Sequence, residues 1–206
     1  MITVYHLSTS RSERIIWLME ELNEPYELVK FQRVNMRSPP EMKDIHPLNK
    51  SPIIRDGTLT LIESGAIVEY IVEKYGRGRL RPDKSTDDYG RYLQWLHFSE
   101  GSLLPVLFQT LFATGAFGRP PSGDLEALRK TSDRYLDFVE SELNGRAYFA
   151  GAEFTAADIM MMYALQWLHR ITDVEKYPNL KAYRERISAR PAYKKAMEIA
   201  NPRVAA

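Results

Sequence analysis

The sequence predicts an α/β domain of order βαβ, then α, then ββ, then α, followed by an all-helical domain. Three observations carry this. Upstream of residue 77, short apolar runs alternate with helical stretches, and a pair of runs flanks Asp56-Gly57, a strong hairpin signal. Gly76, Gly78 and Pro82 break every period among solvated arginines, which reads as a linker. Beyond it, apolar residues follow helical spacing without a strand signal. The expected division is a first domain over 1–77, a linker over 78–88 and a helical domain over 89–206.

Element by element, Ile2 to Leu7 reads as a strand and Ser12 to Leu22 as an amphipathic helix. Tyr26 to Phe31 is a second strand. Arg37-Ser38-Pro39-Pro40 opens a short irregular helix ending near His46-Pro47. Ile53 to Arg55 and Thr58 to Leu61 form the hairpin, and a helix from Ser64 stops at Gly76, expected as a left-handed cap. A parallel crossover and a closing hairpin give a small sheet with helices on both faces. In the second half, Tyr89, Tyr92, Leu93, Leu96, Leu103 and Leu107 mark a long helix, and Leu125 to Leu143 another. Glycine at 101, within the first of these, points to close packing or a pocket wall. Thr155 followed by Asp158 is a capping box, with Phe154 and Ile159 placed for a hydrophobic staple.

Composition narrows the function. Charge is balanced, 28 basic against 27 acidic residues and a net +1, so no nucleic-acid partner is implied. The absence of cysteine excludes a disulfide scaffold, a thiolate metal site and a cysteine nucleophile, and fits a reducing compartment. The N-terminus lacks a signal-peptide pattern and no long apolar run spans a membrane, so the expected address is the cytoplasm. His6, His46, His97 and His169 lack metal-ligand spacing, and no metal is expected.

The chemistry concentrates in two short stretches. Pro52, in Lys50-Ser51-Pro52, stands where a strand would otherwise begin, which suits a turn that exposes the Ser51 backbone, best made by a cis bond. Glu63-Ser64 then opens a helix, with Ser64 able to cap it. Free N–H groups and a hydroxyl at a helix start suit a carboxylate, and Glu63 suits an ammonium group. An exposed backbone edge between such ends fits a small zwitterionic peptide.

These stretches, with His6-Leu7, Ser10-Arg11 and Trp17-Leu18, resemble the cytosolic glutathione transferases, most of all serine-type bacterial and fungal members, over essentially the whole chain. The resemblance implies a thioredoxin-like domain followed by an all-α domain. It implies an enzyme that activates the thiol of glutathione, its co-substrate, for attack on small hydrophobic electrophiles, in the manner of detoxification enzymes. It also implies a homodimer, for which the sequence itself offers the aromatics Tyr70 and Tyr75 at the end of the hairpin helix and Tyr89 and Tyr92 on the first long helix. Ser51 would pair its backbone with the cysteinyl unit. Glu63 and Ser64 would hold the γ-glutamyl group, with Lys50 or Asn49 near the glycyl carboxylate.

A free thiol has a pKa near ~8.5, so catalysis needs a donor that favours the thiolate. Ser8, Thr9, Ser10 and Ser12 crowd the turn after the first strand, with Tyr5 inside the strand. Ser12 is better placed to cap the helix. By resemblance Ser10 is the serine-type position, and Tyr5 is the alternative because tyrosine-type members use that strand. The electrophile pocket would lie between domains, lined by Trp95, Phe98, Ser99, Leu103, Phe108 and Phe112. Other activities consistent with the resemblance are glutathione-dependent peroxide or disulfide reduction, and a non-catalytic interaction module.

Overall fold

A computed structural model describes residues 1–118 and 120–201. Its chain divides into two compact units, Met1–Arg79 together with the segment from Ala189 onward, and Leu80–Ser188.

In the first unit, β1 (Ile2–Leu7) is inside a four-stranded sheet of order β2-β1-β3-β4. Coverage on both faces explains why it reads as a nearly continuous apolar run. β2 (Tyr26–Phe31) pairs with it in parallel, from Ile2 opposite Tyr26 to Leu7 opposite Phe31. Parallel neighbours need a crossover, supplied by α1 (Glu13–Leu22), whose Ile15, Ile16, Leu18, Met19 and Leu22 are buried. β3 (Ile53–Asp56) runs antiparallel to β1, with Tyr5 opposite Ile53. β4 (Leu59–Ile62) closes the hairpin, and Gly57 adopts the positive φ of 60° that its turn requires. α2 (Ser64–Tyr75) buries Ile67, Val68, Ile71 and Val72. This is a thioredoxin-like domain. Its register brings three segments to one end of the sheet: the turn after β1, Ser51-Pro52 before β3 and Glu63-Ser64 after β4.

The second unit is helical: α3 (Asp87–Phe98), α4 (Leu104–Ala113), α5 (Leu125–Glu142), α6 (Ala156–Leu165) and α7 (Pro178–Ser188). Every residue of α6 is buried, so it is the central helix. Asp158 accepts from the Thr155 backbone N–H at 2.8 Å, which is the carboxylate arm of the expected capping box. Among the described residues no helix is long and apolar enough to cross a membrane.

Local expectations are corrected in several places. The short helix before β3 is a 3₁₀ segment over Pro40–Asp44. Gly76 is right-handed, at φ −68°, and the left-handed residues are Arg77 and Gly78. Glycine at 76 answers to space, since a Cβ would meet the Val72 carbonyl oxygen at 2.3 Å. The long helix of the second half is interrupted by a π-helical turn over Ser99–Leu103. Pro105 follows it and has no N–H for the carbonyl four residues back, so the ladder shifts there. Gly101 within that turn faces open space instead of a packed neighbour.

The last helix departs most from expectation. α8 (Pro191–Ala200) was expected in the helical domain, but it packs with the first unit. Tyr193 meets the edge of Trp17, Arg190 forms a two-pronged ion pair with Glu21, and Lys195 reaches Glu20, all on α1. These contacts bind α8 to the domain that precedes it by more than a hundred residues. The remainder of that expected domain, 202–206, lies outside the described residues. Among the aromatics expected at a dimer interface, Tyr92 is buried and stacks on Tyr89. Tyr70 and Tyr75 donate to Asp56, which Lys74 also contacts, and these three partners hold that carboxyl well below the usual range.

Candidate active site

Between β1 and α1 the chain reverses through Thr9, whose φ of 51° is left-handed. The turn is held from outside by partners distant in sequence. Arg33 donates to the Ser8 carbonyl at 3.0 Å and to the Thr9 carbonyl at 2.9 Å. Asn201, just past α8, accepts from Thr9 N–H at 3.2 Å and donates to Glu13 at 2.9 Å. Glu13 N–H donates in turn to the Ser10 carbonyl.

Inside the turn is a chain of short contacts. Ser10 Oγ stands 2.8 Å from Ser12 Oγ and 3.0 Å from Ser51 Oγ, and accepts from Ser12 N–H at 3.3 Å. Ser12 Oγ lies 2.7 Å from His6 Nδ1 and accepts from Leu7 N–H at 3.2 Å. His6 Nε2 ends the chain, 2.8 Å from the Ala200 carbonyl. Burial lowers the His6 pKa, the Ala200 bond opposes this, and Lys30 adds to the lowering, so the ring is neutral at physiological pH. Ser12 holds the N-cap position of α1, as expected, but its hydroxyl makes no cap bond because His6 and Ser10 take it.

Ser10 is therefore brought together with Ser51, and Ser12 stands behind it. Tyr5 belongs to a different cluster, packed with Leu7, Met42 and Ile53 and with the Arg55 guanidinium 5.6 Å from its ring centre. Ser8 is half-buried and Thr9 exposed. The Ser51-Pro52 peptide is cis and Pro52 is buried. Asn49 has φ 49° and a buried Oδ1 without a hydrogen-bond partner, an acceptor suited to a bound polar group. Lys50 is exposed.

At the third segment, Glu63 is exposed with φ 70°, and Ser64 is buried as the first residue of α2. Glu63, not Ser64, holds the N-cap position, and it makes no side-chain cap bond. No cap bond from the Glu63 side chain engages the first N–H groups of α2, a kind of helix start that suits an anion.

The six residues expected to line an electrophile pocket separate into two sets. Trp95, Ser99 and Leu103 are core of the helical unit. The Trp95 ring packs against Phe98, Phe138 and Phe149, and Ser99 donates to the Met160 carbonyl at 2.6 Å. Periodicity places apolar side chains on a face without saying whether that face is core or cleft, and for these three it is core. Phe98, Phe108 and Phe112 are half-buried, with Phe108 against Phe112 and Trp167.

Sequence reasoning missed the Ser51 side chain, His6, Arg33 and Asn201 as parts of this site. A usable signal existed for His6 alone. A histidine inside a buried strand requires polar partners.

Two family models match the chain: "Glutathione S-transferase, N-terminal domain" over residues 1–73 and "Glutathione S-transferase, C-terminal domain" over 107–191. Glutathione S-transferase 3 of Schizosaccharomyces pombe is 37% identical, covering 96% of this chain and 87% of the relative. Disulfide-bond oxidoreductase YfcG of Escherichia coli is 30% identical, covering 96% and 94%. Among solved structures, a glutathione S-transferase from Actinobacillus pleuropneumoniae superposes with a TM-score of 0.89 at 33% identity, covering 100% of this chain and 97% of the other. A family member from Pseudomonas fluorescens, with two glutathione bound, gives a TM-score of 0.82 at 28% identity, covering 96% and 92%.

Proposed function

The chain belongs to the glutathione S-transferase family and is a glutathione transferase, and from that premise we propose that Ser10 is the hydroxyl that stabilises the thiolate of bound glutathione. The observation that carries this assignment is the 3.0 Å approach of Ser10 Oγ to Ser51 Oγ at the start of α1. That approach joins a hydroxyl to the segment read as the cysteinyl-binding edge. Helix-end amides add positive potential at the same point. Tyr5 lacks such an approach, because its ring is held in the cluster around Met42.

In this reading the Ser51 backbone pairs with the cysteinyl unit. Glu63 and Ser64 take the ammonium and carboxylate of the γ-glutamyl group, and Asn49 or Lys50 approaches the glycyl end. The unpartnered Asn49 Oδ1 is an acceptor and suits an N–H of the peptide backbone, whereas the glycyl carboxylate needs a donor such as the exposed Lys50 ammonium. The thiolate attacks a small hydrophobic electrophile, with Phe98, Phe108 and Phe112 the remaining aromatic candidates for its binding. Apolar surface rewards aryl halides and isothiocyanates by about 25 cal/mol per Å² buried and gives charged acceptors nothing. The cytoplasm is the compartment of this reading, since reduced glutathione and a cysteine-free chain both suit a reducing environment. The assembly is a homodimer, and light scattering at micromolar concentration should return twice the 23.8 kDa of one chain.

Conjugation, hydroperoxide reduction and disulfide reduction measured side by side with glutathione test the activity. Conjugation of aryl substrates should dominate. A chain that reduces disulfides and conjugates nothing would displace the electrophile reading in favour of the activity named for the Escherichia coli relative.

A further inference from the structure

We propose that the side chain of Ser51 is a second hydroxyl donor to the glutathione thiolate, acting beside Ser10. The inference rests on the reading of Ser10 as thiolate donor and extends it to a pair.

The argument follows protons outward from the buried end of the chain. The Ala200 carbonyl can only accept, so at 2.8 Å the His6 Nε2 carries the proton. In a neutral imidazole Nδ1 is then an acceptor. The Ser12 hydroxyl, 2.7 Å away, gives its single proton to Nδ1. The Leu7 carbonyl, its other acceptor, is farther away at 3.4 Å. With its proton committed, Ser12 Oγ can only accept towards Ser10, from which it stands 2.8 Å.

That polarity divides the work of the two outer hydroxyls. The Ser10 proton has an inward acceptor in Ser12 Oγ, so a thiolate must compete for it. Ser51 faces a weaker inward acceptor: Ser10 Oγ stands farther off, at 3.0 Å, and already takes Ser12 N–H at 3.3 Å. Ser51 is also half-buried where Ser10 is buried, so its hydroxyl is the more open of the two. Two oxygens 3.0 Å apart leave room for one sulfur within reach of both. Charged acceptors outcompete neutral hydroxyls, so both protons turn to the sulfur once it ionises. The step breaks the S–H bond and releases its proton to solvent, and neither serine is ionised. Ser51 thereby serves glutathione twice, by its backbone edge and by its side chain.

The test compares Ser51→Ala, Ser51→Thr, Ser10→Ala and the double alanine variant. Their readouts are the apparent thiol pKa of bound glutathione, from the pH profile of kcat/KM for the electrophile at saturating glutathione, and the affinity for S-methylglutathione, which has no thiol. Ser51→Ala should raise the thiol pKa by roughly half to one unit and lower kcat/KM about three- to tenfold at neutral pH. The deficit should vanish at alkaline pH, Ser51→Thr should restore the wild-type profile, and S-methylglutathione affinity should not change. The double variant should exceed either single change. A Ser51→Ala profile that matches wild type while Ser10→Ala is shifted overturns this inference and leaves Ser10 in place. The reverse pattern overturns the Ser10 assignment and upholds Ser51. Equal loss of S-methylglutathione affinity and activity, with no shift in pKa, would reduce Ser51 to a structural residue.

Discussion

Two buried polar clusters, one in each unit, differ in what they leave unfinished. In the helical unit the Asp158 carboxylate is saturated. One oxygen takes Phe149 N–H and the Tyr183 hydroxyl at 3.1 and 3.0 Å. The other takes the Thr155 N–H and hydroxyl at 2.8 and 3.1 Å. All partners are internal and the residue is fully buried. Around Ser10 the network is anchored just as firmly at its inner end, on the Ala200 carbonyl, but its outer end consists of hydroxyls that can redirect a proton. A closed network holds helices in place, whereas an open one can meet a charge that arrives. Polarity and burial are common to both clusters, and only the outer hydroxyls separate them.

The contrast can be broken most sharply at Asp158. Asp158→Ala strands two backbone or hydroxyl donors on each side of the missing carboxylate, and unsatisfied buried groups cost about 1–3 kcal/mol each. Denaturant unfolding should therefore show a loss of about 3 kcal/mol or more. The activity of the molecules that remain folded should be retained, and a selective loss of turnover at unchanged stability would defeat the comparison.

Ser10→Ala should do the opposite. Turnover at neutral pH should fall by about tenfold or more, one pKa unit of the thiol being worth about 1.4 kcal/mol. Glutathione affinity should change little and the unfolding midpoint only slightly. If Tyr5→Phe abolishes turnover while Ser10→Ala spares it, the open cluster is not the chemical one.

Ser64→Ala probes binding without chemistry. Charge-assisted hydrogen bonds contribute about 1.5–3 kcal/mol, so titration calorimetry should show glutathione binding weakened by about tenfold or more. Equal affinities would remove Ser64 from the site.

A further effect is a pH slope. Burial outweighs the four donors and pushes the Asp158 carboxyl up to about 6. An unfolded Asp titrates near ~3.9, so between these values the folded protein holds the extra proton. The stability this residue contributes is thus fully present below about pH 4 and is lost as pH rises through about 6. Melting temperatures of wild type and Asp158→Asn should show the wild type losing ground to the variant from pH 4 to 7. Ground gained over that range would reverse the sign.

Much of this was legible beforehand because its causes are local. The strand limits Ile2–Leu7 and Tyr26–Phe31 follow from apolar runs, the hairpin from Asp56-Gly57, and the Asp158 arm of the capping box from Thr155 three residues earlier. Where local rules erred, a non-local demand had taken over. Ser12 was legible at an N-cap position, but its hydroxyl answers to His6. Gly76 was legible as a helix end, but glycine is required there by the nearby carbonyl of Val72 and not by a left-handed φ. Trp95, Ser99 and Leu103 were legible as one face of a helix, and which body covers that face is not written in their spacing.

By itself, then, the sequence determined the order of elements, the ββ closure, the family and the segments around Ser10, Ser51 and Ser64, since each depends on residues near one another in the chain. The tertiary structure alone decided how those segments combine. Ser10 meets Ser51 across 41 residues, and His6 meets Ala200 across 194. Neither pairing has a sequence period to announce it. Each exists because β3 pairs against β1 and because α8 packs onto α1, so the meeting of these groups is a property of the folded domain.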